Sequence, residues 1–275
     1  MQFLGIDLGT SFVKGAVLDL DTLELGRIQR TPFPAEQAAL APGRHEIAPR
    51  IVVDVVRETQ ESLLPYAPAC RGIVMCTQMH SVVLVNDAGV PLTNIATWLD
   101  QRALDSHPAG GTFLDLLSAR LGTEARARLG GELRPGLPIA TLFRQAAEGG
   151  LPPGAVPLSM ADFALAQLCG AAAGVDATNA AASGAMDVTT GEWSSDALGA
   201  AGLQALRWPP ITDFATPAGT YRSGGLELPC YRPVGDAQCA LAGVGLSEGE
   251  LSVNIATGSQ VSLIRNTAAL GNFQL

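Results

Sequence analysis

No apolar run in this sequence is long enough to cross a bilayer, which takes roughly 18 or more consecutive residues. Met1 leads directly into a strand-like segment, without a basic stretch or a cleavage site, so no secretion signal is expected and the cytoplasm is the default compartment. Basic charge is also scarce: 17 Lys and Arg stand against 26 Asp and Glu, a net charge of −9. A field of that sign disfavours nucleic acid as a main partner. It leaves room for a nucleotide, which is held locally by N–H groups and a metal ion. The cysteines (Cys70, Cys76, Cys169, Cys230 and Cys239) lack CxxC spacing, so buried free thiols are expected rather than disulfides or a metal site. The histidines, His45, His80 and His107, are too far apart for a zinc pattern. What the chain has in quantity is apolar side chains. At 275 residues and 47% hydrophobic, it can fill a large core in one big domain or two small ones.

The first motif is at the start. Residues 3–7 read as a strand, Gly9-Thr10-Ser11 as a tight turn, and Val13 to Leu18 as a returning strand. Glycine lets the turn backbone approach a ligand, while Thr10 and Ser11 add hydroxyls and successive N–H groups, the parts of an anion nest. Asp7 ends the first strand beside that nest. Its carboxylate would repel phosphate unless a cation bridged them, and Mg²⁺ is the natural one. The competing reading is an ordinary hairpin with a glycine turn.

Further along, Ile51, Val52, Val55, Val56, Thr59 and Leu63 recur at helical spacing between Pro49 and Pro65. Residues 72–77 form an almost wholly apolar run, expected to be a strand buried on both faces. Strands follow at 81–85 and 93–98, and Leu99 to Arg102 is expected to open a helix. Helices are predicted over 112–133 and 137–148, and again from Ser159 to Cys169, with a serine cap and a stop at Gly170. Five prolines between 208 and 233 imply extended edges and turns. Gly235-Asp236-Ala237-Gln238 begins a helix of small residues, with Asp236 at or near its N-cap. The order gives an α/β domain around a mixed sheet.

Residues 251–264 then repeat the opening grammar: strand, Ala256-Thr257-Gly258-Ser259 turn, strand. Two such hairpins suggest a duplicated fold, each half offering a phosphate-binding turn to a shared cleft. Residues 1–245 would form the first domain and 246–275 the beginning of a second. A domain of that kind needs on the order of 100–200 residues, so the second is expected to be truncated here.

With both turns and Gly235-Asp236 in view, the chain resembles the FGGY carbohydrate kinases of the actin-like ATPase superfamily. Gly5-Ile6-Asp7-Leu8-Gly9-Thr10-Ser11 is similar to the first phosphate motif, and 256–259 to the second. Gln78-Met79-His80 resembles the sugar-contacting segment, and Trp98-Leu99-Asp100-Gln101-Arg102 the WxDxR segment. Asp176, Asn179, Ala180, Ser183, Asp187 and Gly191-Glu192-Trp193 resemble a further family run. Within the family the pattern is nearest to xylulokinases and sedoheptulokinases. Thr77 and Ser81 replace the usual glycines around Gln78-Met79-His80, and Ala237 follows Asp236 where Asn or Gln is usual. Both departures fall where sugar hydroxyls are read.

The resemblance implies an actin-like, ribonuclease H-like fold and transfer of the ATP γ-phosphate to a ketose. Asp236 would be the catalytic base, against a plain helix cap. Asp7 would hold Mg²⁺, with Gly9, Thr10 and Ser11 at the phosphate, and Thr257, Gly258 and Ser259 on its other side. Lys14 would reach phosphate or stay solvated. Gln78, Met79, His80 and Gln238 would line the sugar site. Asp100 would accept a sugar hydroxyl, and Trp98 would stack on the ring or plug the core. The implied partners are a small sugar and ATP, without nucleic acid or membrane, and a homodimer is compatible. The rivals are an actin- or chaperone-type ATPase and a non-catalytic sugar-binding protein.

Overall fold

The computed structural model describes residues 1–255 and 260–266. Its centre is a mixed sheet. Strands β1 (Gln2–Leu8), β2 (Phe12–Asp19) and β3 (Glu24–Pro32) form an antiparallel meander, and β4 (Cys70–Thr77) lies parallel to β1 on the other side. Beyond β4 come the hairpin β5 (Pro217–Ser223) and β6 (Leu226–Tyr231), and the short β7 (Val234–Gly235), parallel to β4. Pro229 lies in β6, which is bonded to β5 along its length but pairs with β4 only at Cys230 and Ile73. That sparse second edge accommodates a residue with no N–H.

Alternation decides which face is covered. Leu4, Ile6, Leu8, Val13 and Val17 point to the face packed by α1 (Pro49–Leu63), where Val52, Val56 and Leu63 are buried. Each such fully buried Leu or Ile stabilises the fold by about 1.5–3 kcal/mol. A second core gathers α2 (Phe113–Arg128) and α3 (Pro138–Gly149) around Leu117, Ile139 and Leu142. Helix α4 (Met160–Cys169) begins at Ser159, whose hydroxyl accepts from the Asp162 N–H at 3.1 Å, and ends at Gly170 with φ +62°. The short α5 (Ala177–Ala182) is capped by Asp176, and α6 (Ser195–Ala200) by Ser194. Helix α7 (Asp236–Gly243) follows β7 directly, and an antiparallel hairpin closes the described chain, β8 (Leu251–Asn254) with β9 (Gln260–Leu263).

Two expectations need correction. The run 72–77 is not buried on both faces, because Val74 and Cys76 border an open cleft on the side away from α1. The helix expected to open at 99–102 is a single 3₁₀ turn, Arg102–Leu104. Helix α7 has no fully buried residue, but Asp236, Ala237 and Cys239 are half-buried against the end of the sheet.

Candidate functional site

Parallel strands place their carboxyl ends together, and β1, β4 and β7 do so at Asp7–Leu8, Thr77 and Gly235. Ligands of open α/β sheets bind at this end. The residues that follow each strand meet there. Gln78 continues from β4, its N–H donating to the Leu8 carbonyl at 2.8 Å. Its side chain accepts from the Thr10 hydroxyl at 3.2 Å and donates to the Gly9 carbonyl at 3.4 Å. The first turn is thereby tied to the end of β4. Ser11 sits on the same turn with its surface exposed.

Asp7 is paired in register with Lys14 across β1 and β2, and the Lys14 ammonium lies 2.9 Å from its carboxylate. Asp236 opens α7 just past β7, with Gly235 as the N-cap, and its carboxylate accepts from the Ala237 N–H at 2.9 Å. Burial pushes the Asp236 carboxyl above its ordinary range; the negative charge of Asp7 adds to this, while the Ala237 N–H and Lys14 oppose it. Asp236, Asp7 and Lys14 therefore form one electrostatic unit. Met79 presses its sulfur against Gly235, where a Cβ would come within 2.6 Å of it, and Gln238 folds its amide over the same glycine. The cleft beside this cluster has a volume of about 640 Å³, and Asp7, Lys14, Cys76 and Cys239 are among the residues lining it.

His80 adopts φ +64°, a left-handed conformation unusual for a residue with a Cβ. Its Nδ1–H donates to the Ala182 carbonyl at 2.7 Å. Burial lowers its pKa, helped by the positive charge of Arg134, so the neutral ring is favoured and Nε2 is left as an acceptor. Arg134 and its partner Glu132 come from the loop between α2 and α3. Gly136 in that loop has φ +85°, and a Cβ there would collide with the Trp98 carbonyl oxygen. Trp98 thus meets the loop through its backbone.

Asp100 stands apart from the cluster. Its side chain has no exposed surface, and its two oxygens accept from the His45 N–H and from Arg102, whose Nε lies 2.7 Å away. Arg102 reaches Glu46 at 2.5 Å with its other end. This carboxylate is spent on a buried ion pair and has nothing left for a sugar. Thr257, Gly258 and Ser259 lie outside the described residues. Arg134, Glu132 and Thr178 went unnoticed in the sequence as neighbours of the site. The Pro135-Gly136 pair was the available signal for the first two.

The donor set around Asp7 suits Mg²⁺. One hard carboxylate faces the turn, and no cluster of three metal-binding side chains exists among the described residues. Mg²⁺ in phosphate-transfer sites keeps most of its shell from water and phosphate and asks for only one or two carboxylates.

Comparison with known proteins agrees with this geometry. Residues 2–227 match the N-terminal domain of the FGGY family of carbohydrate kinases. An apulose kinase of Pectobacterium atrosepticum is 27% identical over 289 residues, covering 97% of this chain and 55% of that protein. A glycerol kinase of Cereibacter sphaeroides is 28% identical over 272 residues, covering 88% of this chain and 50% of that one. The crystal structure of xylulose kinase from Rhodospirillum rubrum superposes with a TM-score of 0.80 at 21% identity, over 95% of this chain and 54% of that one. The chain spans about half the length of the curated relatives it matches. The sheet order, the actin-like ATPase fold and the matched residues lead to one conclusion: the chain belongs to the FGGY family of carbohydrate kinases.

Proposed function

We propose that this chain supplies the sugar-binding side of a kinase that moves the γ-phosphate of ATP to a hydroxyl of a ketose, of the xylulose or sedoheptulose kind. The observation that carries this reading is Asp236: a half-buried carboxylate with a raised pKa, at the carboxyl end of the sheet and beside the Asp7–Lys14 pair. A sugar hydroxyl needs a carboxylate to take its proton and cations to hold the phosphate charge. Asp236 takes the proton. Its raised pKa makes it a better base than a solvated aspartate.

Asp7 is the residue that would hold Mg²⁺, which supplies charge neutralisation at the phosphate oxygens. Lys14, Thr10, Ser11 and the N–H groups of the Gly9 turn bind and orient the phosphates. His80 offers Nε2 to a sugar hydroxyl, and Gln78, Met79 and Gln238 shape the site around it.

The test is ATP-dependent phosphorylation by the full encoded protein over a panel of ketoses and polyols, including xylulose, sedoheptulose, apulose and glycerol. A ketose should be preferred, and Asp236→Asn should lower kcat by about 10²–10⁴-fold while sugar still binds by calorimetry. ATP hydrolysis that is stimulated by a peptide and indifferent to every sugar would overturn the reading in favour of a chaperone-type ATPase.

A further inference from the structure

Strand β7 is only two residues long, yet it delivers Asp236. So short a strand cannot hold its own position. On one edge it pairs with β4, Val234 with Cys76 and Gly235 with Thr77. Its other edge pairs with no strand among the described residues and is taken by α5. The Asn179 side-chain amide donates to the Pro233 carbonyl at 2.8 Å, and the Gly235 N–H donates to the Thr178 hydroxyl at 2.7 Å. The carbonyl of residue 233 and the N–H of residue 235 point the same way along a strand, so the two bonds replace a missing ladder partner.

The Thr178 hydroxyl is itself oriented. It donates to the Asp176 carboxylate, which turns its lone pairs toward Gly235. Asp176 also accepts from the Thr178 N–H at 2.9 Å and is buried. Arg232 ties the same two segments from below, donating to the Ala172 carbonyl at 2.7 Å and the Gly174 carbonyl at 3.2 Å. A side chain at Gly174 would come within 2.5 Å of the guanidinium.

We infer that Thr178 is a positioning residue for Asp236: its hydroxyl, aimed by Asp176 and backed by Asn179, fixes where the base-bearing helix begins. The proposal rests on the reading of Asp236 as the base. Thr178 has a role of position, not of contact with sugar or phosphate. It acts on the Gly235 N–H, one peptide before Asp236. Losing the hydroxyl leaves that N–H without its acceptor and frees β7 to shift. Displacing a catalytic group by about 1 Å can cost on the order of 100-fold in rate.

Two arms test this in the full encoded protein. In steady-state kinetics, Thr178→Val should lower kcat by on the order of 100-fold with the sugar KM changed by less than about 3-fold, and Thr178→Ser, which keeps the hydroxyl, should restore most of the rate. In hydrogen exchange, the Gly235–Ala237 amides should exchange at least about 10-fold faster in Thr178→Val than in wild type or Thr178→Ser. Should Thr178→Val not fold, Asn179→Ala, which releases only the Pro233 carbonyl, should show the same two effects more weakly. Wild-type exchange and kcat in the valine variant, or a serine variant as impaired as the valine one, would overturn the proposal. A wild-type protein that phosphorylates no sugar would sink the kinase reading instead, and the exchange arm would still decide the clamp.

Discussion

The Lys14 ammonium and the Asp7 carboxylate lie 2.9 Å apart in the lining of the cleft, each attached to one strand of the opening hairpin. Lys14 is the only lysine in the chain, so the pair can be addressed without disturbing other amines except the N-terminus. Its electrostatic effect is felt at Asp236, where Asp7 raises the pKa and Lys14 lowers it. Removing Lys14 leaves Asp236 facing an uncompensated negative charge. In Lys14→Met the acidic limb of the kcat/KM profile should therefore move to higher pH, because the base protonates earlier as pH falls. In Asp7→Asn it should move to lower pH. Profiles that shift in the same direction would disprove this coupling.

Asp162 should make stability depend on pH. It is fully buried, and burial drives its carboxyl up to about 7 from an ordinary 3.8; Ser159 and Arg232 resist the rise and Asp176 adds to it. A folded-state pKa above the unfolded one means that the native chain holds the proton more tightly. Its contribution to stability is full below pH about 4, declines as pH rises to about 7, and is level above that. The decline is on the order of 4 kcal/mol. Urea unfolding of the wild type and Asp162→Asn between pH 4 and 8 should show the difference between them changing across this window. Parallel curves would count against it.

Arg102 should matter for folding, not for sugar recognition. It is buried between Asp100 and Glu46, whose charges raise its pKa against the opposing effect of burial. Removing one partner of a buried pair strands the other charges, a loss of about 3–5 kcal/mol. Arg102→Met should lose that much in chemical denaturation. A loss below about 1 kcal/mol would mean the pair is hydrated and open.

Gly136→Ala should be destabilising out of proportion to one methyl group. The residue has φ +85°, and the added Cβ would meet the backbone of Trp98, which cannot rotate away. A loss of at least about 2 kcal/mol is expected, read as a lowered Tm. Because the loop also carries Arg134 toward His80, sugar affinity should fall in the same variant. An unchanged Tm would show that the loop relaxes freely.

Much of the fold was readable because its signals are local. The alternation in residues 2–19, the spacing of Val52, Val56 and Leu63, and the Ser159 cap each specify an element within a few residues. The placement of Asp7, Thr10, Gln78 and Asp236 was legible for the same reason, each standing in a short motif at the end of a strand. Asp100 was misread as a cleft residue because its partners Glu46 and His45 are more than fifty residues away in the chain. Nothing near Trp98-Leu99-Asp100 reveals that a buried arginine will claim it.

The sequence by itself determined the opening hairpin turn, the Ser159 cap and the family, since these depend on residue type at fixed short spacing. Only the tertiary structure decided that Asp7, Lys14 and Asp236 share one field, because parallel strands from both ends of the chain had to close side by side. It also decided that Thr178, in an alanine-rich stretch, would reach the N–H before Asp236. A hydrogen bond across 57 residues is set by packing, and packing leaves no local mark in the sequence.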